Sequence, residues 1–507
     1  MSEIEIRLAV ARDDMAKLRK ALLSLAREPR LSRITWASTY YDTSDRRLEQ
    51  SGLTLRVQKH RRTFLQAVET DEFTGADPLA RKEWQDRIVG AQPDLDAPNS
   101  GAHVPAKRRE LRPLFTTLIQ RSTALLQSPD GTEIVAALDK GEIHACRSDA
   151  SEPVSEIELR LKSGDPAALY DLALRLVELV PLRIEARSKA ERGYRLIDRR
   201  AAKPPVLHVA PTVLDSGATV EASMQRIGRQ CLAGILGNEP AALADVPEAV
   251  HQMRVAVRRL RAALSAVKPM LPMDQFRWTD HELKWLGGAL GPARNWDVFA
   301  HGLLEPVAEA LPEERDLVRL SRATERKRSD AYRRAKHAIL SQRYTVAMLR
   351  LARWFEARGW SEQPVTESSA KLVTPVGEVA AELIERRYRK ARKRSRNFVD
   401  LPPRERHVLR IGLKKLRYTV DLLEPLFAKR RTRPFMKRLK GLQDDLGHAN
   451  DVNAARNLLM DVANGQHVAA LDRASGIVLG WHDRGLAEQE ARLRANVRRF
   501  RQAKPFW

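Results

Sequence analysis

The chain has 507 residues, of which 43% are hydrophobic, and this length corresponds to about three domains with buried cores. Its 89 Lys and Arg residues against 65 Asp and Glu residues give a net charge of +24, which predicts a polyanionic partner. Only Cys146 and Cys231 are present, which excludes a disulfide scaffold, and no apolar stretch reaches the roughly 20 residues of a membrane helix. We therefore expect a cytoplasmic protein that is neither exported nor inserted in a membrane.

Two regions with different sequence patterns divide the chain. Residues 1–198 alternate short period-two runs with Gly, Pro and Asp, which is typical of antiparallel strands, whereas residues 219–507 carry helical periodicity. The proline-containing segment 199–218 is predicted to be a linker. A second break divides the helical region into two lobes, at about 219–358 and 376–507. The net charge is +3 over the first 200 residues and +21 over the rest, so we expect the polyanion site in the helical region.

Charged residues of both signs share one face of the predicted N-terminal strands. Glu3, Glu5 and Arg7 alternate with aliphatic residues, so a strand places all three on one side. The same alternation recurs at Arg56, at Arg81 and Glu83, and at Glu156, Glu158 and Arg160. Each run taken alone is equally well explained by an ordinary sheet that has one solvent-exposed face. Together they predict a sheet closed around a charged lumen, in which carboxylates hold Mg²⁺ or Mn²⁺ and basic residues hold phosphates.

Four segments of this region resemble the CYTH domain of the triphosphate tunnel metalloenzymes, and they follow one another in the order of that family. They are residues 3–7, 40–57, 155–159 and 188–194. The resemblance implies an eight-stranded antiparallel β-barrel that hydrolyses short polyphosphates with a divalent metal. The acids that match the metal side of the family are Glu3, Glu5, Glu83, Glu156 and Glu158. The bases that match its phosphate side are Arg7, Arg56, Arg81, Arg121 and Lys189.

Four positions depart from the pattern of this family. Arg7 stands where a lysine usually ends the opening motif, and Gln58 stands where a second arginine is usual. Glu69 replaces a lysine and so reverses a charge, and Gln85 replaces an acid. The predicted lumen therefore has fewer cations and one carboxylate fewer. Two interpretations stay open: an active inorganic triphosphatase, which we favour, and a degenerate tunnel that binds phosphate without hydrolysing it.

The helical region contains an internal repeat with an offset of 156 residues. Residues 251–261 align with residues 407–417, and every basic position matches in type. Residues 283–295 align with residues 439–451 at the same offset. Two motifs that share one offset predict the duplication of a helical unit.

Each copy of the first motif predicts a helix with an apolar stripe beside a basic one. The apolar stripes are Met253, Val257, Leu260 and Leu264, and Leu409, Leu413, Leu416 and Val420. The first basic stripe is His251, Arg254, Arg258 and Arg261, and the second basic stripe is His407, Arg410, Lys414 and Arg417. Neither motif contains Asp or Glu, so its like charges repel one another, which predicts an anion between them. A solvated helix face is the alternative for either stripe taken alone.

The two motifs resemble the CHAD domain, from about Thr219 onward, and the resemblance implies a two-lobed helical bundle that binds inorganic polyphosphate on its basic surface. The predicted polyphosphate-binding residues are His251, Arg254, Arg258, Arg259, Arg261, His407, Arg410, Lys414, Lys415 and Arg417. Nucleic acid is a weaker candidate, because aromatic residues at 6% provide few stacking platforms. Metal binding by the two histidines is disfavoured, since basic residues surround both.

The sequence thus predicts an α+β multidomain protein with an N-terminal β tunnel and a C-terminal duplicated helical bundle. We expect metal-dependent hydrolysis of inorganic triphosphate in the first domain, with Mg²⁺ or Mn²⁺ as cofactor, coupled to polyphosphate binding by the second. The alternatives are a non-catalytic, granule-associated polyphosphate-binding protein and, third, a nucleic-acid-binding protein. The expected partners are tripolyphosphate and long-chain polyphosphate without membrane contact, and the expected location is the cytoplasm, including polyphosphate granules.

Overall fold

A computed structural model describes residues 4–26, 31–70, 83–198, 203–210, 212–361, 363–463 and 468–507. The chain forms two compact units. The first unit comprises Met1–Pro205 and Leu340–Gly359, and the second comprises Val206–Ile339 and Trp360–Trp507. Among the described residues, no helix combines the length and the apolar character that crossing a membrane requires.

The first unit contains a nine-stranded antiparallel sheet. Its strands are β1 (Glu5–Val10), β2 (Ser32–Asp42), β3 (Leu53–His60), β4 (Thr63–Thr70), β5 (Glu83–Ile88), β6 (Arg112–Gln127), β7 (Glu133–Ala145), β8 (Ser151–Ser163) and β9 (Leu182–Ile184). Their order across the sheet is β5-β4-β3-β2-β6-β7-β8-β1-β9. The predicted antiparallel fold is confirmed, with nine strands instead of eight. The number eight was implied by the resemblance to the CYTH family, and the additional strand is one of three residues, β9, which pairs with β1 at the edge of the sheet.

The α-helices of the described residues are numbered in chain order. They are α1 (Met15–Leu25), α2 (Arg47–Gln50), α3 (Pro166–Leu179), α4 (Lys189–Ile197), α5 (Val220–Gly237), α6 (Glu239–Leu243), α7 (Pro247–Val267), α8 (Met273–Asp297), α9 (Glu305–Ala310), α10 (Arg315–Leu340), α11 (Gln342–Glu356), α12 (Glu367–Ala370), α13 (Val376–Arg394), α14 (Pro403–Leu423), α15 (Lys429–Val462) and α16 (Ala469–Arg501). Helices α1 to α4 and α11 belong to the first unit. The predicted all-helical character of the C-terminal region is confirmed.

The main core of the first unit lies between one face of the sheet and α3. Residues of β1 alternate between this core and the opposite face, as the charge pattern predicted. Helix α11 packs on α3 and places Leu349 in the same core, with 2% of its surface exposed. Arg353 of α11 and Asp171 of α3 form a two-point ion pair. Helix α11 is therefore part of the first unit, although its sequence falls within the predicted lobe 219–358.

The second unit shows the predicted duplication. Helices α13, α14 and α15 each begin 156 residues after α5, α7 and α8, respectively. Helices α7 and α14 both have 21 residues and pack against each other. Every residue of the two predicted apolar stripes is buried. The duplication thus extends over at least three helices of each copy, beyond the two motifs that revealed it.

Helix α8 continues into a wider, π-helical turn at Val298–Leu304 before α9 begins. Pro306, near the start of α9, has no backbone N–H. It therefore cannot donate the hydrogen bond that an α-helix would direct to the carbonyl oxygen of Gly302. The backbone N–H of Glu305 instead donates to the carbonyl oxygen of Ala300, five residues earlier, which is the spacing of a π-helix.

Candidate functional site

A cavity of 420 Å³ lies within the curve of the sheet, and we refer to it as the charged cavity. Each of the strands β1 to β8 contributes to its lining, together with the start of α4, so the sheet curves around it. Its charged lining residues are Glu5, Arg7, Arg56, Glu69, Glu83, Arg121, Asp139, Glu158, Arg160 and Lys189. Acids and bases therefore face one space, in the mixture that the alternating strands predicted.

Seven of the ten predicted tunnel residues line the charged cavity. They are Glu5, Arg7, Arg56, Glu83, Arg121, Glu158 and Lys189. Glu156 does not line it: this residue is 1% exposed and lies within 2.6 Å of the Nζ atom of Lys189. Glu3 and Arg81 lie outside the described residues. All four departures from the family pattern line the cavity, namely Arg7, Gln58, Glu69 and Gln85.

One part of the charged cavity is organised around Arg56. Its guanidinium lies 2.7 Å from a carboxylate oxygen of Glu69 and 2.8 Å from one of Glu83. These two acids face each other on the paired strands β4 and β5. Burial lowers the pKa of Arg56, but the attraction of Glu69 and Glu83 outweighs burial and raises this pKa above its ordinary value. Glu69 stands where the family pattern has a lysine, so its charge is opposite to the usual one. It is thus the ion-pair partner of a predicted phosphate-binding cation, Arg56.

Another part of the cavity depends on Asp139, which the sequence-based prediction missed. The fully buried Asp139 accepts two hydrogen bonds of 2.7 Å from the guanidinium of Arg121. The Nζ atom of Lys189 lies 2.8 Å from the same carboxylate. In the sequence, Asp139 follows the apolar run 134–138 of β7 and has no alternating charged partner, so strand periodicity does not mark it. Its carboxylate holds two predicted phosphate-binding cations in place.

Glu158 of β8 belongs to the same network. Arg121 donates to both of its carboxylate oxygens, at 3.2 and 2.8 Å, and the Nζ atom of Lys189 lies 3.7 Å away. Burial alone would raise the pKa of Glu158, but Arg121 and Lys189 lower it far below its ordinary value. Glu158 is therefore ionised over the whole physiological pH range.

The N-terminus of α4 positions Lys189. The side chain of Ser188 accepts from the backbone N–H of Glu191, and the side chain of Glu191 accepts from the backbone N–H of Ser188. This capping box fixes Lys189 as the first helical residue, at the edge of the charged cavity. Burial lowers the pKa of Lys189, but Glu156 and Asp139 outweigh burial and raise it. Lys189 is therefore a permanent cation.

The donor chemistry of two cavity residues fits a hard divalent cation. Glu5 and Glu158 bring carboxylate oxygens, which Mg²⁺ and Mn²⁺ prefer, to the cavity from the paired strands β1 and β8. Within the described ranges, no group of three or more His, Cys, Asp or Glu side chains is arranged to hold a metal ion. A complete site would therefore need further oxygen ligands, from Glu3, from water or from the substrate.

The second unit contains a cleft of 720 Å³, and we refer to it as the basic cleft. It is lined by α7, α14 and α15 and by the π-helical turn after α8. Six of the ten predicted polyphosphate-binding residues line it, namely His251, Arg258, Arg259, Arg410, Lys414 and Arg417. Cations of both basic stripes therefore face one space.

The other four predicted residues do not line the basic cleft. Arg254 donates to a backbone carbonyl oxygen of α8 at 2.8 Å, and Arg261 pairs with a carboxylate of the same helix at 2.9 Å. The Nδ1 atom of the exposed His407 lies 2.9 Å from the Oδ1 atom of Asn450. Lys415 is exposed on α14. The two equivalent histidines thus have different surroundings, since only His251 faces the cleft.

The cations of the basic cleft lower one another's pKa. Burial, together with Arg410 and Arg258, lowers the pKa of Lys414 to about 8. Arg254 lies on α7 outside the cleft lining, and burial and Arg258 lower its pKa to about 10 as well. In the part of the chain that the structure describes, neither Arg258 nor Lys414 forms an ion pair. An anion in the cleft would relieve this repulsion.

Three carboxylates outside the predicted set of polyphosphate-binding residues also border the basic cleft, namely Asp421, Asp444 and Asp451. Asp451 of α15 lies 3.7 Å from Arg410, and Asp421 lies 3.5 Å from Arg417. Asp421 follows Arg417 by four positions, a helical spacing that could have identified it as a partner. Asp451 ends the second repeated segment, residues 439–451, and lies on a different helix, α15. The cleft is thus rich in cations, and only part of its charge is compensated.

Comparison with known proteins agrees with this architecture. Residues 1–194 match the CYTH domain family, and residues 226–460 match the CHAD domain family. An inorganic triphosphatase of Haemophilus influenzae is 26% identical over 200 residues, which are 39% of this chain and 55% of the relative. An uncharacterized protein of Mycobacterium tuberculosis is 27% identical over 277 residues, which are 52% of this chain and 50% of the relative. The chain thus spans about half the length of the curated relatives it matches.

A solved structure, the CHAD domain from the plant Ricinus communis, is similar to 58% of this chain and to 96% of its own length. The TM-score is 0.50 and the sequence identity is 28%. This likeness supports the assignment of a CHAD fold to the helical region.

Proposed function

The chain carries a CYTH domain followed by a CHAD domain, and we propose that the first hydrolyses inorganic triphosphate with a divalent cation while the second binds inorganic polyphosphate. The observation that carries the proposal is the charged cavity, to which eight strands bring carboxylates and cations together. The identity of 26% with an inorganic triphosphatase supports the same chemistry.

The cations of the charged cavity are proposed to hold the substrate. Arg56, Arg121 and Lys189 can make charge-assisted hydrogen bonds to phosphoryl oxygens. Carboxylates fix all three cations before a substrate arrives, so little orientational entropy remains to be lost on binding. The same cations would stabilise the negative charge that develops on the leaving phosphate.

Glu5 and Glu158 are the proposed metal ligands, with Glu3 as a third from outside the described residues. A bound Mg²⁺ or Mn²⁺ would polarise the phosphoryl group and orient a water molecule. Because Arg121 and Lys189 hold the pKa of Glu158 low, this residue offers a carboxylate without first losing a proton. Arg121 shares the carboxylate of Glu158, and its two hydrogen bonds to Asp139 keep its guanidinium in place beside it.

The basic cleft is the proposed polyphosphate site. Both copies of the helical repeat contribute cations to it, and the repulsion among them favours a ligand with closely spaced negative charges. A chain of phosphates has such charges and needs no stacking platform. Binding in this cleft would bring the protein to polyphosphate granules.

A tunnel that binds phosphate without hydrolysing it is the second candidate. It is favoured by the surroundings of Arg56, where both Glu69 and Glu83 engage the cation. Gln85 also lines the cavity at the position of a family acid. In this case the whole chain would be a polyphosphate-binding protein without catalytic activity.

Phosphate release from tripolyphosphate by the purified chain distinguishes the two candidates. With Mg²⁺ or Mn²⁺ we expect turnover above the rate without protein, and a loss of roughly 100-fold in Glu5→Ala. Glu178→Ala, at an exposed position of α3, is the matched control and should keep its activity. No release with either metal would contradict the hydrolytic assignment and leave the binding assignment standing.

A further inference from the structure

A second cavity of the helical unit, of 490 Å³, opens between α14, α15 and α16, and we refer to it as the second-repeat pocket. Five aliphatic residues, among them Leu446, Leu486 and Leu493, form its apolar wall. The two carboxylates of the lining are already paired, Glu490 with Arg406 at 3.2 Å and Asp445 with Arg492 at 2.8 Å. Asn453 adds an exposed amide group, and the amide of Asn450 adds a second one, whose oxygen lies 2.9 Å from the Nδ1 atom of His407 in the same lining. An apolar wall with a few polar groups, at this volume, is typical of a site for a small molecule.

Arg410 connects this pocket with the basic cleft, because its side chain lines both. The Nε–H group of Arg410 is buried and has no hydrogen-bond partner among the described residues. The nearest carboxylate, on Asp451, lies 3.7 Å from the guanidinium. Since an unpaired buried donor is costly, an acceptor oxygen beside Arg410 would be bound favourably.

The amide groups of the pocket are not a consequence of the duplication. The first repeat has Arg294 and Asp297 at the positions of Asn450 and Asn453. Asp297 is 2% exposed and lies 3.2 Å from Arg328, so its side chain is committed to an ion pair within the bundle. The amide side chains of Asn450 and Asn453 are therefore specific to the second repeat.

We propose that the second-repeat pocket binds the base of a nucleotide whose phosphate meets Arg410 at the border of the basic cleft. The faces of a planar base are apolar and its edge carries donors and acceptors, which matches an aliphatic wall with amide groups. A phosphate oxygen supplies the acceptor that Arg410 lacks. This site goes beyond the proposed function, because its ligand carries a base and the polyphosphate chain does not.

Calorimetric titration of the full chain with AMP, ribose 5-phosphate and adenosine tests this assignment. We expect AMP to bind at least about tenfold more tightly than ribose 5-phosphate, because the base buries apolar surface in the pocket. Asn453→Trp, at an exposed position of the lining, should block the pocket and weaken AMP binding by a similar factor. Asn457→Trp, one turn further along α15, exposed and outside the pocket, should leave AMP binding unchanged.

Asn453→Trp and one further variant, Arg410→Gln, test how this pocket relates to the basic cleft. Asn453→Trp should bind polyphosphate as the unaltered chain does, since Asn453 does not line the cleft. Arg410→Gln should weaken AMP binding while adenosine binding stays unchanged. Equal affinities for AMP and ribose 5-phosphate, or unchanged AMP binding in Asn453→Trp, would overturn the assignment.

Discussion

Lys414 has a charge that depends on pH close to neutrality, because burial, Arg410 and Arg258 lower its pKa to about 8. The folded protein therefore holds the proton of Lys414 less tightly than a free lysine does. A bound anion acts in the opposite direction, since it favours the ammonium form and raises the pKa. Polyphosphate binding above pH 8 should thus take up a proton.

We predict that polyphosphate affinity falls as the pH rises from about 7 to about 9. Lys414→Arg should flatten this dependence, because a guanidinium stays charged throughout that range. The exposed Lys284→Arg is the control and should keep the original pH dependence. Titrations at constant ionic strength measure the effect, and an unchanged dependence in Lys414→Arg would show that another group is responsible.

Asp139→Asn tests the buried network of the charged cavity. The substitution keeps the size of the side chain but removes the charge that pairs with Arg121 and Lys189. Breaking a buried pair of this kind costs about 3–5 kcal/mol, so we predict a fall of that order in the free energy of unfolding of the first unit. Phosphate release should fall as well, because both cations lose a positioning partner.

The exposed Asp149→Asn is the control for this prediction and should change neither quantity. Chemical denaturation measures the free energy of unfolding, and the tripolyphosphate assay measures the activity. Wild-type stability together with wild-type turnover in Asp139→Asn would contradict the positioning role.

At the residue scale, strand periodicity identified side chains that alternate with aliphatic neighbours. Glu5, Arg7 and Glu158 could be placed on one face in this way, and all three line the charged cavity. Asp139 could not be placed in this way, because a single acidic residue after an apolar run shows no alternation of charged and aliphatic residues. The sequence also could not predict which charged residues form ion pairs, because a pair such as Glu69 with Arg56 depends on strand register.

At the element scale, the duplication was predictable and the packing of α11 was not. Two motifs with one offset were enough to reveal the repeat, because corresponding helices retain corresponding residues. An amphipathic helix shows in its sequence that it has an apolar face, but not which surface covers that face. The packing of α11 on α3 therefore emerges only from the structure.

Leu349→Ala tests whether α11 stabilises the first unit. Leu349 is 2% exposed in the core of that unit, and removing a buried leucine side chain costs about 2–5 kcal/mol. We predict faster amide hydrogen exchange in α3 and β9, which α11 contacts. Leu340→Ala changes a residue that is 45% exposed and serves as the matched control. Unchanged exchange in Leu349→Ala would show that α11 does not support the first unit.

At the scale of the whole molecule, the net charge of +21 on residues 201–507 predicts polyphosphate binding that weakens steeply with salt. Arg258→Gln removes one unpaired cation of the basic cleft. By analogy with phosphate contacts in nucleic acids, it should reduce the slope of log affinity against log salt by about one. Arg326→Gln, at an exposed position of α10, is the control and should keep the original slope. If both variants have the same slope, polyphosphate does not bind at Arg258 in the basic cleft.

Two separate phosphate sites are proposed for this chain, a charged cavity for hydrolysis and a basic cleft for binding. Phosphate release from tripolyphosphate with Mg²⁺ or Mn²⁺, compared between Glu158→Gln and Lys414→Gln, tests this claim most directly. We predict that Glu158→Gln loses turnover while its polyphosphate affinity is unchanged, and that Lys414→Gln keeps turnover while its polyphosphate affinity falls. Absence of metal-dependent release from the unaltered chain, or its persistence in Glu158→Gln, would contradict the account.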